Sequence, residues 1–217
     1  MKWDDLDFWQ CGEWQVIEER LADILKAGGY ITPLKEDLFN ALDATPFDDV
    51  KVVLMGQDPY PAQDLATGLA FSIPKGVKKY PSTLLNILKE YRDDTHHPDP
   101  RTGDLSPWAD RGVLLWNSIP SCGNGVSSSH AWPEWTLLTK EIVERLSVRG
   151  AVFCFLGGRA REYGRFVVDQ SKNRIIETSH PSPMGKFGRL PFLGSRIFTT
   201  INVKLRELGK EPIDWRL

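Results

Sequence analysis

The chain has 217 residues, 41% of them hydrophobic and 26% charged, with a formal net charge of −2; this composition suits one ordinary globular domain and excludes disordered and collagen-like chains. No apolar run approaches the roughly 20 residues needed to span a bilayer, and the acidic opening Met1-Lys2-Trp3-Asp4-Asp5 lacks the apolar stretch of a secretory signal. The three cysteines (Cys11, Cys122, Cys154) lie far apart without a Cys-x-x-Cys pair, which disfavours a disulfide framework, a zinc knuckle or a four-cysteine iron–sulfur cluster, so a reducing, cytoplasmic setting is expected.

The segment from Trp9 to Lys26 places Trp14, Ile17, Leu21, Ile24 and Leu25 at helical spacing and stops at Gly28-Gly29. Pro33 suits the first position of a second short helix, with Leu38, Phe39 and Leu42 as core contacts. Val50–Met55, ended by Gly56, reads as a buried strand. Similar runs recur at Gly112–Trp116, Ala151–Leu156 and Arg174–Thr178. Helical stretches are expected at 82–94, 134–147, 158–169 and 195–208. This alternation predicts a single α/β domain over 1–217: a central, mostly parallel four-stranded sheet with helices on both faces, preceded by an N-terminal helical segment over 1–44.

In such sheets ligands bind at the carboxyl ends of the strands. Gly56-Gln57-Asp58-Pro59-Tyr60, Asn117-Ser118, Gly157-Gly158 and His180-Pro181-Ser182-Pro183 follow the four runs, so their polar groups are expected along one edge. Singly, each has an ordinary explanation. Asp58 before Pro59 suits an Asx-turn, Asn117 a turn, His180 a satisfied imidazole and Phe71 the core. The charge distribution is lopsided as well. Residues 1–139 carry 12 basic and 21 acidic side chains, a balance of −9, whereas residues 140–217 carry 15 and 8, a balance of +7. From Thr178 to Arg206 there are five cations and no acid, which reads either as a solvated face or as a docking surface for polyanions.

Taken together and in order, Gly56-Gln57-Asp58-Pro59-Tyr60-Pro61, Gly68-Leu69-Ala70-Phe71-Ser72, Gly112-Val113-Leu114-Leu115-Trp116-Asn117 and His180-Pro181-Ser182-Pro183 resemble the motifs of family 1 uracil-DNA glycosylases. Gly103–Ala109, Ser129-His130 with Trp135, and Gly209–Trp215 echo the same family. The resemblance covers roughly residues 45–217. It implies hydrolysis of the bond between uracil and deoxyribose, the first step of base-excision repair, with no metal and no cofactor. The flipped uracil would stack on Phe71, pair with the amide of Asn117, meet Tyr60 at C5 and take further donors from the backbone around Gln57 and Asp58. Asp58 would orient the attacking water, and His180 would donate to uracil O2 as charge develops there.

The same likeness assigns DNA contacts to Pro59, Ser82, Ser182 and Arg159, makes Met184 the wedge that fills the vacated stack, and adds Lys186 and Arg189 as nearby cations. Implied partners are uracil-containing DNA, single- or double-stranded, and small acidic inhibitor proteins; a monomer is expected. Four positions depart from the usual pattern. Pro61 and Thr67 stand where many members have histidine, Gly185 where a serine is common, and Arg159 in place of a phosphate-contacting serine. Two rival readings differ in their signature: a reader of uracil without turnover has no need of Asp58, and an enzyme that accepts thymine should have a small residue at Tyr60.

Overall fold

The computed structural model describes residues 1–183 and 190–217. In chain order the elements are α1 (Glu13–Lys26), β1 (Ile31–Thr32), α2 (Asn40–Ala44), β2 (Val52–Gly56), α3 (Ser82–Thr95), α4 (Ser106–Ala109), β3 (Val113–Asn117), β4 (Cys122–Gly123), α5 (Pro133–Arg149), β5 (Val152–Leu156), α6 (Gly158–Arg161), β6 (Arg174–Thr178) and α7 (Ile197–Glu207). The strands β3-β2-β5-β6 form a sheet in that order, and all three pairings are parallel. A parallel sheet is covered on both faces, which explains why β2, β3 and β5 are buried along their whole length.

Alternation within the strands divides the core in two. Val53, Met55, Leu114, Trp116, Phe153 and Phe155 turn to one face and pack with Ile17 and Leu21 of α1 and with Leu138, Ile142 and Leu146 of α5. Val52, Leu54, Val113, Leu115, Val152 and Cys154 turn to the other, against Leu84 and Ile87 of α3 and Phe198 and Ile201 of α7. On that second face Trp108, Phe198 and Trp215 meet edge-on or tilted at centroid distances of 5.0–5.4 Å. Their indole N–H groups are satisfied by the carbonyls of Trp215 and Phe198.

Two expectations need correction. Pro33 does not begin a helix: a 3-10 turn at Lys35–Asp37 comes first, and helix proper starts only at Asn40. Nor does the stretch 158–169 form one helix. It is α-helical over Gly158–Arg161, tightens to 3-10 over Glu162–Phe166, and turns extended at Val167. Periodic apolar residues could not reveal this, because 3-10 and α turns differ little in spacing over a single turn, and Tyr163 is buried in the tighter one. The two-residue strands β1 and β4 pair antiparallel beside the main sheet; they are too short to leave a periodic signal.

Chain order reverses between β2 and β5: β3 lies to one side of the pair and β6 to the other. The crevice beyond their carboxyl ends is the topological switch point, where ligands of open α/β sheets bind.

Candidate active site

The carboxyl ends of β2, β3 and β6 deliver polar groups to a common cavity of about 160 Å³, lined by Asp58, Tyr60, Phe71, Asn117, Ser127 and His180 among others. Its volume is well below the roughly 300–1,000 Å³ typical of drug-sized pockets and suits a single small ring. Asp58 and Tyr60 come from the turn after β2, Asn117 is the last residue of β3, and His180 lies two residues beyond β6.

Asp58 is held by three donors. Gln57 Nε2–H donates to Oδ1 at 3.1 Å, while Ser127 Oγ–H and the Ser128 backbone N–H donate to Oδ2 at 2.6 and 2.7 Å. A carboxylate offers about four acceptor positions, so one, on Oδ1, is left open. Gln57 Nε2 also donates to Ser128 Oγ at 2.9 Å. Its side chain therefore braces Asp58 and does not reach into the cavity, whereas its neighbouring backbone N–H and that of Asp58 have no protein acceptor among the described residues. Ser127 and Ser128 are site residues that sequence reasoning missed. Only the nearby Ser129-His130 pair hinted at that loop.

Phe71 is buried with φ of +66°, in the left-handed region that bulky residues avoid. The conformation is pinned from both sides. Ala70 N–H donates to the Leu115 carbonyl at 2.9 Å, and the Tyr60 hydroxyl donates to the Phe71 carbonyl at 3.0 Å. Burial raises the Tyr60 pKa well above the usual phenol range, so the hydroxyl remains a donor. Asn117 is 6% exposed, and among the described residues no hydrogen bond engages its amide. An atom added at Gly56 would stand 2.6 Å from Asn117 Oδ1 and 2.9 Å from Phe71 Cζ; the glycine is what allows amide and ring to sit side by side.

His180 is half-buried, its ring centroid 6.1 Å from that of Phe71. The Ser182 backbone N–H donates to its Nδ1 at 3.1 Å. Nδ1 is therefore the acceptor, and the proton of the neutral ring sits on Nε2. Burial lowers the His180 pKa and outweighs the opposing pull of the Asp58 charge. Gly157, with φ of +101°, lies against it: a β-carbon there would come within 3.1 Å of the His180 Cβ. Cys122 donates weakly to the Pro59 carbonyl at 3.7 Å, and burial, aided by the charge of Asp58, pushes its thiol up to about 12. It is no nucleophile.

The predicted DNA-contacting residues are more dispersed. Ser82 is exposed at the first residue of α3, and Ser182 is half-buried beside His180. Pro59 is buried and forms part of the cavity wall. Arg159, exposed at the start of α6, borders a separate hollow of about 110 Å³ with Thr136 and Arg165. Met184, Lys186 and Arg189 lie outside the described residues.

Comparison with known proteins matches residues 42–206 to the Uracil DNA glycosylase superfamily. A uracil-DNA glycosylase of Campylobacter concisus is 42% identical, the match covering 88% of this chain and 82% of that one. One of Xanthomonas oryzae pv. oryzae is 40% identical over 97% of this chain and 87% of its own. Among solved structures, mimivirus uracil-DNA glycosylase superimposes with a TM-score of 0.86 at 29% identity, covering 97% of this chain and 85% of that one. A variant of mimivirus UNG, solved in complex with UGI, superimposes equally well.

Proposed function

This chain belongs to the uracil-DNA glycosylase superfamily, fits its family 1, and hydrolyses the bond between uracil and deoxyribose in DNA; from that premise we propose how its residues divide the work. The supporting observation is the single small cavity on which Asp58, Tyr60, Phe71, Asn117 and His180 converge. A base within a duplex is out of reach, so the nucleotide is rotated into this cavity at a cost of a few kcal/mol. Stacking on Phe71 returns roughly 1–3 kcal/mol.

Asn117 reads the base. Its amide oxygen accepts from uracil N3–H and its NH₂ donates to O4; cytosine reverses both polarities and would leave buried groups unpaired. Tyr60 occupies the space of a C5 methyl group and so rejects thymine. Asp58 accepts a hydrogen bond from the attacking water at its open Oδ1 position, and its charge stabilises the cationic sugar as the bond lengthens. The neutral His180 directs Nε2–H at uracil O2, where negative charge grows. A fixed donor of this kind is worth about 3–4 kcal/mol.

Ser82, at the positive end of a 14-residue helix, and Ser182 hold backbone phosphates beside the cavity. Pro59, Arg159, Lys186 and Arg189 extend this contact, and Met184 enters the base stack. The substrate is uracil-containing DNA, single- or double-stranded, the enzyme works as a cytoplasmic monomer, and the same face takes protein inhibitors of the kind bound to the mimivirus relative.

The test is a labelled single strand with one uracil, incubated in EDTA and then treated with alkali, beside a thymine strand. Scission at uracil alone is expected. Asp58→Asn should bind this DNA yet cleave it roughly 10²–10³-fold more slowly, and undiminished cleavage by that variant would overturn the assignment.

A further inference from the structure

Three side chains of α3, Asn86, Glu90 and Asp94, stand four residues apart on one helical face. Each holds the chain that follows His180. The Glu90 carboxylate accepts from the backbone N–H groups of Gly194 and Arg196 at 2.6 and 2.7 Å, and Asp94 accepts from Thr199 N–H and Oγ1–H at 2.9 and 2.5 Å. These two order the entry into α7. Asn86 acts at another point: its Nδ2–H donates to the carbonyl of Pro181 at 2.7 Å.

That carbonyl belongs to the same peptide unit as the N–H of Ser182, the group that donates to His180 Nδ1 at 3.1 Å. A hydrogen bond at one end of a peptide group draws electron density toward the oxygen and strengthens the N–H at the other end as a donor. It also fixes the plane of the peptide, and with it the direction of that N–H. The chain Asn86 to Pro181–Ser182 to His180 is thus continuous. It begins on a helix one turn after Ser82, the residue assigned to a DNA phosphate.

We infer that Asn86 is a positioning residue for uracil excision, which through the Pro181–Ser182 peptide keeps His180 in the orientation and tautomer that leave Nε2–H facing the departing uracil. The inference rests on the role given to His180 above. Without Asn86 the peptide is free to rotate, Nδ1 loses its fixed donor, and both tautomers become populated. The side chains assigned to the base keep their places and only the phosphate contact of Ser182 adjoins the freed peptide, so the loss falls chiefly on kcat with little change in KM.

A double-mutant cycle tests this, with single-turnover and steady-state uracil release measured for Asn86→Ala, His180→Gln and the pair, and with Asn86→Asp as a same-shape variant whose ionised carboxylate cannot donate. In both Asn86 variants kcat is expected to fall about tenfold with KM within about twofold, a modest misplacement of a catalytic group. On the His180→Gln background the Asn86 change should cost nothing further. Nitrogen-15 spectra of the histidines should show His180 with a pyridine-like Nδ1 and a protonated Nε2 in the parent protein, and a tautomer mixture in Asn86→Asp. Additive losses, or an unaltered His180 spectrum in the Asn86 variants, would overturn the inference. A crippled His180→Gln beside fully active Asn86 variants would overturn it while leaving the role of His180 intact. Full activity of His180→Gln would instead refute the reading on which the inference stands, and the inference with it.

Discussion

Adding one carbon to Gly56 should disable the site without touching a catalytic group. The residue closes β2 outside the left-handed region, so alanine meets no backbone penalty and the effect is purely steric. Its Cβ would lie 2.6 Å from Asn117 Oδ1, 2.9 Å from Phe71 Cζ and 3.2 Å from Cε2. To regain ordinary contact at 3.4 Å the amide must retreat by about 0.8 Å and the ring by about 0.5 Å. Neither yields freely, since Asn117 ends a paired strand and the backbone of Phe71 is pinned by Tyr60 and Leu115. Misplacement by about 1 Å costs up to about 10²-fold in rate, or about 2.7 kcal/mol of transition-state stabilisation. Overpacking removes roughly 1–3 kcal/mol of stability, and for a chain of this size each kcal/mol lowers the melting temperature by about 2–4 °C. Single-turnover release of uracil from a labelled oligonucleotide, beside a thermal melt, measures both. A Gly56→Ala enzyme with parental turnover and an unshifted melt would refute the packing account of base recognition.

Tyr60→Phe keeps the wall against thymine but removes the donor to the Phe71 carbonyl; we expect a stability loss of about 1–2 kcal/mol, reduced turnover on uracil and still no cutting of a thymine strand. Acid should weaken the fold through His130. It is 2% exposed, stacked on Trp132 and paired through Nδ1 with Ser121, and burial pushes its pKa down from 6.5 to about 4. Between those values the unfolded chain binds a proton that the native one refuses, so stability is full above pH 6.5 and falls by up to about 3 kcal/mol as the pH drops to 4. Denaturant melts across that interval should show the decline, and His130→Gln should flatten it. If Arg159 replaces a missing phosphate contact, Arg159→Ser should reduce the salt dependence of DNA binding by about one counterion; an unaltered slope in fluorescence anisotropy would remove Arg159 from the interface.

Much of this architecture could be read in the chain. Fully buried parallel strands are short and largely apolar, and the runs at Val50–Met55, Gly112–Trp116 and Ala151–Leu156 fall within two residues of β2, β3 and β5, while the half-buried β6 coincides with Arg174–Thr178. Because residues at and just beyond the ends of such strands share an edge, Asp58, Asn117 and His180 were legible as neighbours in the sequence. Tertiary partners were not. The clasp of Ser127 and Ser128 around Asp58 spans about seventy residues, and serines in a polar loop carry no periodicity. The link from Asn86 to Pro181 spans 95, and an asparagine within a helix reads as solvent-facing until the opposing loop is in place. The 3-10 turn after α6 escaped for a different reason: its few residues keep the apolar order of an α-helix and change only its pitch.

The clasp on Asp58 has a consequence for how the rate responds to temperature. Its three donors all come from the protein itself, so the field around the water that Asp58 is proposed to orient is set by the fold and not by the substrate. Solvent around a free carboxylate would have to reorganise as positive charge appears on the sugar, whereas dipoles already anchored to the backbone of Ser128 have no such adjustment to make. The entropic component of the activation barrier for bond cleavage should therefore be small. What remains to be reorganised on encounter belongs to the nucleic acid, which must unstack, swivel and slide one base past the rim before a largely finished site.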